Sequence, residues 1–313
     1  METNNKLNLP AIRGTGGLAL KQTEKAISKF DLVKKASIAS VMKSESISVS
    51  QDILERERGL DLVLVGDLTT SMTNYHKLLK DKFRELCKEL FSMIENLRIS
   101  VIFYLDHDGH LPYLTKVSKL TKDIEQLYHF IDSTPVSLDG NNTSDEAVED
   151  ALNDVASLNW REIGNRSVVL FGDASPHSAC DCPLRLDFFD ITEQLFKQHI
   201  TINSVFCDNF HGDIQKAQDC GYGNFKRKFD YLPAEQFFSW IANVTGGMVI
   251  GIEKIDDLVD IIMAAAAKDS GHLDDLEAKL KKTAPSKLKL IDVAKKAELR
   301  KMLGNSSNKK LLK

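Results

Sequence analysis

Residues 61–72 place three oxygen-bearing side chains at alternate positions, directly after an apolar run of strand length. Asp67 ends the run, and Thr69 and Ser71 follow it in a D-x-T-x-S pattern. Carboxylate and hydroxyl oxygens on a tight turn suit a hard divalent cation such as Mg²⁺, which prefers oxygen ligands and keeps several of its waters. The carboxyl ends of parallel strands are also where open α/β sheets bind ligands. The pattern therefore predicts a cation site at the end of this strand.

Two further segments carry oxygen-rich turns. Residues 139–147 combine Gly and Asn with Thr143, and a helix then starts with acids in its first turn. Residues 167–177 repeat the arrangement of an apolar strand that ends in an acid, here Asp173. Each acid taken alone is equally typical of ordinary capping of turns and helices. The acids and hydroxyls occur in order, each after a predicted strand or before a predicted helix, and this combination favours a metal site over capping.

Together the segments resemble the von Willebrand factor A domain and its metal-ion-dependent adhesion site, over about residues 60–268. That site uses a D-x-[ST]-x-S loop, a Thr in a middle loop and an Asp after the fourth strand. The resemblance implies a ligand set of Asp67, Thr69, Ser71, Thr143 and Asp173. It also implies Mg²⁺, with Mn²⁺ as a substitute. Residues 104–107 and 173–177 resemble a microbial branch of the family.

This ligand set predicts a protein-interaction module and not an enzyme. Neutral hydroxyl oxygens position a cation without neutralising it, so the ion stays electrophilic and keeps exchangeable waters. An Asp or Glu carboxylate from a partner protein would then replace one water, and the metal would bridge two proteins. The predicted role is that of a scaffold or component in microbial signalling, stress or defence.

An enzymatic alternative remains, in which Asp67 serves as the nucleophile of a Mg²⁺-dependent hydrolase or phosphatase. Phosphatases of that kind resemble a D-x-D loop, with the second acid as the acid/base group. Thr69 occupies that position here and cannot move the proton in this way. The chain also lacks the G-x-x-x-x-G-K-[ST] loop of nucleotide hydrolases.

The elements that position these residues alternate between strand and helix. Strands are predicted at 60–66, 98–104, 113–120, 167–172, 201–207 and 247–252, and helices at 75–95, 123–131, 144–157, 189–198, 234–243 and 255–267. Such alternation predicts a doubly wound, mainly parallel six-stranded sheet with helices on both faces, the Rossmann-like arrangement that the resemblance also implies. The strand at 113–120 follows a turn, so we expect it to be a short antiparallel edge strand.

Three parts are predicted along the chain: an N-terminal, partly ordered arm (1–58), the von Willebrand A-like domain (59–268) and a basic helical tail (269–313). The net charge of −4 hides an asymmetry, because residues 279–313 carry about +10. A basic amphipathic helix is predicted at 288–303. The tail could dock on an acidic partner or on the chain's own acidic core. It could also bind nucleic acid or an anionic membrane surface. Nucleic acid is not favoured, because few Arg and no aromatic residues accompany the lysines.

Two smaller clusters complete the candidate groups. His177, Cys180 and Cys182 form an H-x-x-C-x-C loop that offers three soft ligands for a second metal such as Zn²⁺, or a loop that adds ligand specificity. The spacing is not that of a standard zinc site, so reduced thiols are favoured. Residues 106–108 read Asp-His-Asp, which is more typical of a turn than of acid/base machinery or an accessory metal contact.

The expected location is the cytoplasm. Five widely spaced cysteines do not suggest a disulfide framework. The first residues lack the basic-then-apolar pattern of a secretory signal. No apolar run reaches the roughly 20 residues that span a bilayer.

Overall fold

The computed structural model describes residues 59–107, 112–136, 144–208, 221–225, 231–252 and 257–308, with side chains as far as residue 304. Within these ranges the main strands are β1 (Leu60–Asp67), β2 (Leu97–Tyr104), β3 (Thr115–Val117), β4 (Asn165–Gly172), β5 (Ile200–Phe206) and β6 (Val249–Gly251). They form one six-stranded sheet in the order β3-β2-β1-β4-β5-β6. Only β3 is antiparallel to its neighbour in this sheet. The predicted α/β fold class is therefore confirmed.

Helices follow the strands and cover both faces of the sheet. They are α1 (Thr73–Met93), α2 (Ile124–Ser133), α3 (Val148–Ala156), α4 (Phe188–Lys197), α5 (Ala234–Thr245), α6 (Asp257–Ser270), α7 (Leu273–Thr283) and α8 (Leu288–Asn308). Helices α1, α2 and α6 to α8 contribute to one hydrophobic core, and α3 to α5 contribute to the other. In the part of the chain that the structure describes, no helix is both long and apolar enough to cross a membrane.

The central strand β1 shows why the sequence forms a doubly covered sheet. Leu62 and Leu64 point into the core under α1 and α6, whereas Val63 and Val65 point into the core under α3 to α5. Side chains alternate across a strand, so a strand buried on both faces is apolar at nearly every position. The continuous apolar run before Asp67 meets that requirement.

Two predicted boundaries differ from the structure for local reasons. The helix expected at 144–157 begins only at Val148, because Asp145–Glu146 pairs in parallel with Ser175–Pro176. The strand expected at 113–120 is reduced to β3. The strand ends before Ser118, because the Ser118 hydroxyl accepts a hydrogen bond from the Val101 backbone N–H at 2.7 Å. This side-chain bond replaces a backbone hydrogen bond of the strand pair.

Helices α7 and α8 lie within the basic tail and pack through apolar side chains. Leu290, Ile291 and Ala294 on α8 are buried in the same core as the alanines of α6. Leu299 and Leu303, which belong to the predicted apolar face of this helix, are instead exposed. The first half of α8 therefore belongs to the hydrophobic core, and its second half presents apolar side chains outward.

Candidate metal centre

The loop after β1 brings three of the predicted ligands together. The side chain of Asp67 is fully buried, and its Oδ1 accepts hydrogen bonds from the Thr69 backbone N–H at 2.7 Å and the Thr69 hydroxyl at 2.6 Å. The hydroxyl oxygens of Thr69 and Ser71 lie 3.4 Å apart. When the Thr69 hydroxyl donates its proton to Asp67, its lone pairs remain available for a cation.

Asp173 reaches the same place from the neighbouring strand. It directly follows β4, which is paired with β1 in the register that sets Gly66 opposite Phe171. Burial raises the pKa of Asp173, and a hydrogen bond from Ser71 opposes that rise only in part. Burial and the charge of Asp173 together raise the pKa of Asp67 to about 7. The fully buried carboxyl group of Asp67 thus lies near the half-buried carboxyl group of Asp173.

Four of the five predicted ligands therefore converge on the carboxyl edge of the sheet: Asp67, Thr69, Ser71 and Asp173. Thr143 lies in residues 137–143, outside the described residues. Adjacent parallel strands that end level with each other account for the convergence, since their following loops must meet at one edge.

The two carboxylate oxygens of Asp67 differ in their surroundings, and the difference shows whether these residues suit a cation. Ordinary capping of the turn accounts for the role of Oδ1, which accepts the Thr69 backbone N–H. The other oxygen, Oδ2, is buried and has no hydrogen-bond partner among the described residues. A buried carboxylate oxygen without a partner is costly, and a second carboxylate nearby increases the cost. A divalent cation at this oxygen would remove both costs, so the residues present fit the predicted ion.

A second buried group of titratable side chains lies at the end of β2. We call it the histidine-carboxylate cluster, and it consists of Asp106, His107, Glu149, Asp150, His177 and Cys182. Nε2 of His107 lies 3.1 Å from Glu149 Oε1 and 2.9 Å from Asp150 Oδ2. Nε2 of His177 lies 3.2 Å from Asp106 Oδ1, and the two imidazole rings meet edge to face with centroids 4.9 Å apart.

The carboxyl groups of the cluster set the charge of its neighbours. Burial alone would lower the pKa of His177, but the adjacent carboxylates of Asp106 and Glu149 raise it to about 10. Burial, together with the charge of Glu149, raises the pKa of Asp150 to about 6. The cluster therefore combines one acid, Asp150, that resists ionisation with an imidazole, that of His177, that favours its protonated form.

Glu149 and Asp150 were not among the site residues predicted from the sequence. Both occupy the first turn of α3, where acids commonly stabilise the helix dipole at the surface. Here both are buried. Nothing in the local pattern distinguishes them from exposed first-turn acids, because the segment that covers them is distant in the chain.

The predicted H-x-x-C-x-C loop is divided by the structure. His177 and Cys182 are buried in the histidine-carboxylate cluster, whereas Cys180 is exposed. The Cys182 thiol lies 3.9 Å from Asp150 Oδ2. The four cysteines within the described residues, Cys87, Cys180, Cys182 and Cys207, are free thiols.

Comparisons with known proteins give only distant similarities. No protein-family model and no curated protein matches the chain. Solved structures similar to it include proximal thread matrix protein 1 from the mussel byssus, at 15% identity and a TM-score of 0.43, over 68% of this chain and 47% of that one. A second crystal form of that protein gives 14% identity and a TM-score of 0.43, over 67% and 46% of the two chains. The SpRpn10 VWA domain gives 15% identity and a TM-score of 0.42, over 66% and 94%.

This chain thus spans about half the length of the mussel protein. Similarities at this level carry no argument about activity or partners. The assignment of the site rests on the sheet order and on the contacts of its side chains.

Proposed function

We propose that this chain is a Mg²⁺-dependent protein-interaction module, in which Asp67, Thr69, Ser71, Thr143 and Asp173 hold the ion and a partner protein supplies an Asp or Glu carboxylate. The observation that carries the proposal is the buried, unpartnered Oδ2 of Asp67 beside the carboxyl group of Asp173. Mn²⁺ is expected to substitute for Mg²⁺. The proposed setting is a cytoplasmic scaffold or signalling component.

The chain's own residues have separate tasks in this proposal. Asp67 and Asp173 provide negative charge at the base of the site. Thr69 fixes Asp67 through two hydrogen bonds to one oxygen, so that the other oxygen would be available to hold the ion. Ser71 contacts Thr69 and the carboxyl of Asp173, so its hydroxyl links the two strand ends. When bound, the ion supplies an electrophilic position whose water exchanges for a carboxylate.

The hydroxyl-rich loop also supports binding over catalysis. A phosphatase that used Asp67 as its nucleophile would need an acid/base group two residues later. Thr69 holds that position, and its hydroxyl already donates to Asp67. The arrangement orients Asp67 for an ion and offers no group at position 69 to protonate a leaving oxygen.

Thermal unfolding in EDTA, Mg²⁺, Mn²⁺ or Ca²⁺ tests the proposal on the wild type and on Asp67→Asn. Binding to the native state stabilises it by RT ln(1 + [L]/Kd), about 2.7 kcal/mol at a hundredfold excess over Kd. We expect Mg²⁺ and Mn²⁺ to raise the Tm of the wild type and not that of Asp67→Asn. Asp81→Asn, at an exposed position on α1, is the matched control and should respond like the wild type.

The EDTA samples separate loss of the ion from loss of the fold. Without metal, Asp67→Asn should be at least as stable as the wild type, because the amide removes the buried repulsion from Asp173. Acetate, as a surrogate for the partner's carboxylate, should increase the Mg²⁺ response of the wild type only. Equal Mg²⁺ shifts in both proteins, or none in the wild type even with acetate, would refute the proposal. Phosphoester turnover lost in Asp67→Asn would support the phosphatase instead.

A further inference from the structure

The histidine-carboxylate cluster places four potential metal ligands around one point. The ligand atoms of His107, Glu149, Asp150 and Cys182 all lie within 4.8 Å of one another. They come from three parts of the chain: the end of β2, the first turn of α3 and the segment that precedes α4. Convergence of distant segments on one small, buried volume is not explained by the capping of any single helix.

Charge is the first reason to regard the group as a ligand set. Glu149 and Asp150 are consecutive and buried, at 0% and 5% exposure, and burial of two adjacent carboxyl groups is costly unless positive charge compensates. Among the described residues, the ion-pair partners of these two acids are His107 and His177. The Nδ1 atom of His177 is itself buried and lacks a hydrogen bond of good geometry. Nδ1 of His177 thus remains in a buried site with an ion-pair contact of 3.3 Å to Glu149 Oε1 and no hydrogen bond among the described residues.

Geometry is the second reason. Tetrahedral ligands at metal distances of about 2.0–2.3 Å stand roughly 3.3–3.7 Å from one another. Nε2 of His107 is 2.9 Å from Asp150 Oδ2 and 3.1 Å from Glu149 Oε1, and Sγ of Cys182 is 3.9 Å from Asp150 Oδ2. Shifts of less than about 1 Å at these pairs would give the tetrahedral spacing.

We propose that His107, Glu149, Asp150 and Cys182 form a buried structural site for a divalent transition-metal ion, with Zn²⁺ as the best fit. A set of one imidazole nitrogen, two carboxylate oxygens and one thiolate suits Zn²⁺ and is poor for Mg²⁺, which prefers oxygen ligands alone. Four protein ligands leave no open position, which is typical of structural and not of catalytic zinc. The proposal does not depend on Mg²⁺ binding at Asp67.

His177 would support this site from outside the ligand set. Its ring contacts the ring of His107 and lies between Asp106 and Glu149, with Nδ1 3.3 Å from Glu149 Oε1. Groups behind metal ligands orient them and adjust their basicity. Asp106 also accepts the backbone N–H of His107 at 2.6 Å, which fixes the turn that carries this ligand. The ion would therefore fasten α3 and the segment before α4 to the end of β2.

Cobalt substitution tests the site directly. The full chain with Asp67→Asn, which removes the proposed Mg²⁺ site, is freed of metal and titrated with Co²⁺. We expect one equivalent to bind with tetrahedral visible bands and a thiolate-to-cobalt charge-transfer band in the near ultraviolet. Zn²⁺ should displace the Co²⁺ and abolish both features.

Two cysteine variants in the same background supply the matched comparison. Cys182→Ser should lose the charge-transfer band and weaken metal binding by more than about tenfold. Cys180→Ser, two residues away and exposed, should keep the band. A band that persists in Cys182→Ser would assign the metal to another thiol, such as Cys207 near Asp67 and Asp173, and would overturn the proposal. Absence of stoichiometric binding by the parent would overturn it as well.

If Cys182→Ser fails to fold, the site can be tested by a measurement that needs no cysteine variant. The metal-free parent is alkylated during mild thermal or urea-induced opening, with and without Zn²⁺, and each cysteine is quantified by mass spectrometry. Zn²⁺ should slow modification of Cys182 by more than about tenfold and leave exposed Cys180 unchanged. Equal rates for Cys182 with and without Zn²⁺ would contradict the proposal.

Discussion

Asp61 and Asp67 lie at opposite ends of β1, and their surroundings give them opposite tendencies to ionise. Both side chains are buried. Burial alone would raise the pKa of Asp61, but hydrogen bonds and charges from Arg98 and Arg161 lower it below its ordinary value. At Asp67, by contrast, burial and the charge of Asp173 raise the pKa to about 7. Asp61 is therefore a member of a structural ion pair. A bound cation would give Asp67 the positive charge that the two arginines give Asp61.

The first prediction concerns the structural acid. Asp61 accepts hydrogen bonds from Arg98 at 2.6 and 2.8 Å and from Arg161 at 2.8 and 2.9 Å. Asp61→Asn should lower the free energy of unfolding at neutral pH by about 3–5 kcal/mol, because the amide removes the buried negative charge with which both guanidinium groups pair. Urea unfolding measures the change, with the exposed Asp81→Asn as the control that should stay within about 0.5 kcal/mol.

The pH dependence of this difference follows from the lowered pKa. A carboxyl group whose pKa is lower in the folded state stabilises the fold above its unfolded pKa, and loses that contribution as the pH falls through the folded value. The gap between wild type and Asp61→Asn should therefore be largest at neutral pH and shrink below the ordinary value of 3.8. A gap that stays constant down to strongly acidic pH would show that the loss comes from packing and not from charge.

At the scale of elements, the end of α6 is joined to the sheet by a buried polar junction. Oδ2 of Asp269 accepts hydrogen bonds from Ser167 on β4 at 2.6 Å and from Asn203 on β5 at 2.8 Å. Asn203 also accepts the backbone N–H of Met248, which leads into β6. Lys268 pairs with the other oxygen of Asp269. This junction sets the position of α6 relative to three strands, which apolar contacts alone would define less sharply.

The second prediction tests that junction. Asp269→Ala should reduce the free energy of unfolding by about 3 kcal/mol or more, because the side chains of Asn203, Ser167 and Lys268 lose a buried partner together. Asp81→Ala, at an exposed position on α1, should change it by less than about 0.5 kcal/mol. Chemical denaturation followed by circular dichroism measures both. Equal small effects would mean that water replaces Asp269 without cost.

At the scale of the whole molecule, the charge asymmetry coincides with internal packing. Lys279 and Lys287 in the basic tail pair with Glu89 and Asp260, whereas Lys295 pairs with Glu277 inside the tail. These pairs are largely exposed and contribute little each. The apolar side chains of α8 provide the larger stabilisation, since they are buried in the core that α6 shares with β1. Part of the tail is therefore packed on the core of its own chain through apolar residues, and its binding to an acidic partner stays a prediction.

The third prediction compares two apolar residues on one helix. Ile291 is 1% exposed and Leu299 is 53% exposed. Ile291→Ala should reduce the free energy of unfolding by about 2–4 kcal/mol, because it leaves a cavity in the core, whereas Leu299→Ala should change it by less than about 0.5 kcal/mol. Thermal or urea unfolding of the full chain measures both. If neither change affects stability, then α8 does not contribute to the cooperative fold.

Local sequence patterns were enough to predict the α/β alternation, the antiparallel edge strand and the acids and hydroxyls at the strand ends. These features follow from local periodicity, and level parallel strands bring their following loops to one edge. The burial of Glu149 and Asp150 beside His107 and Cys182, and the exposure of Cys180, became visible in the folded chain alone. The fold also determines which apolar residues of α8 enter the core. Burial depends on which distant segments cover a residue, and no local pattern encodes that packing.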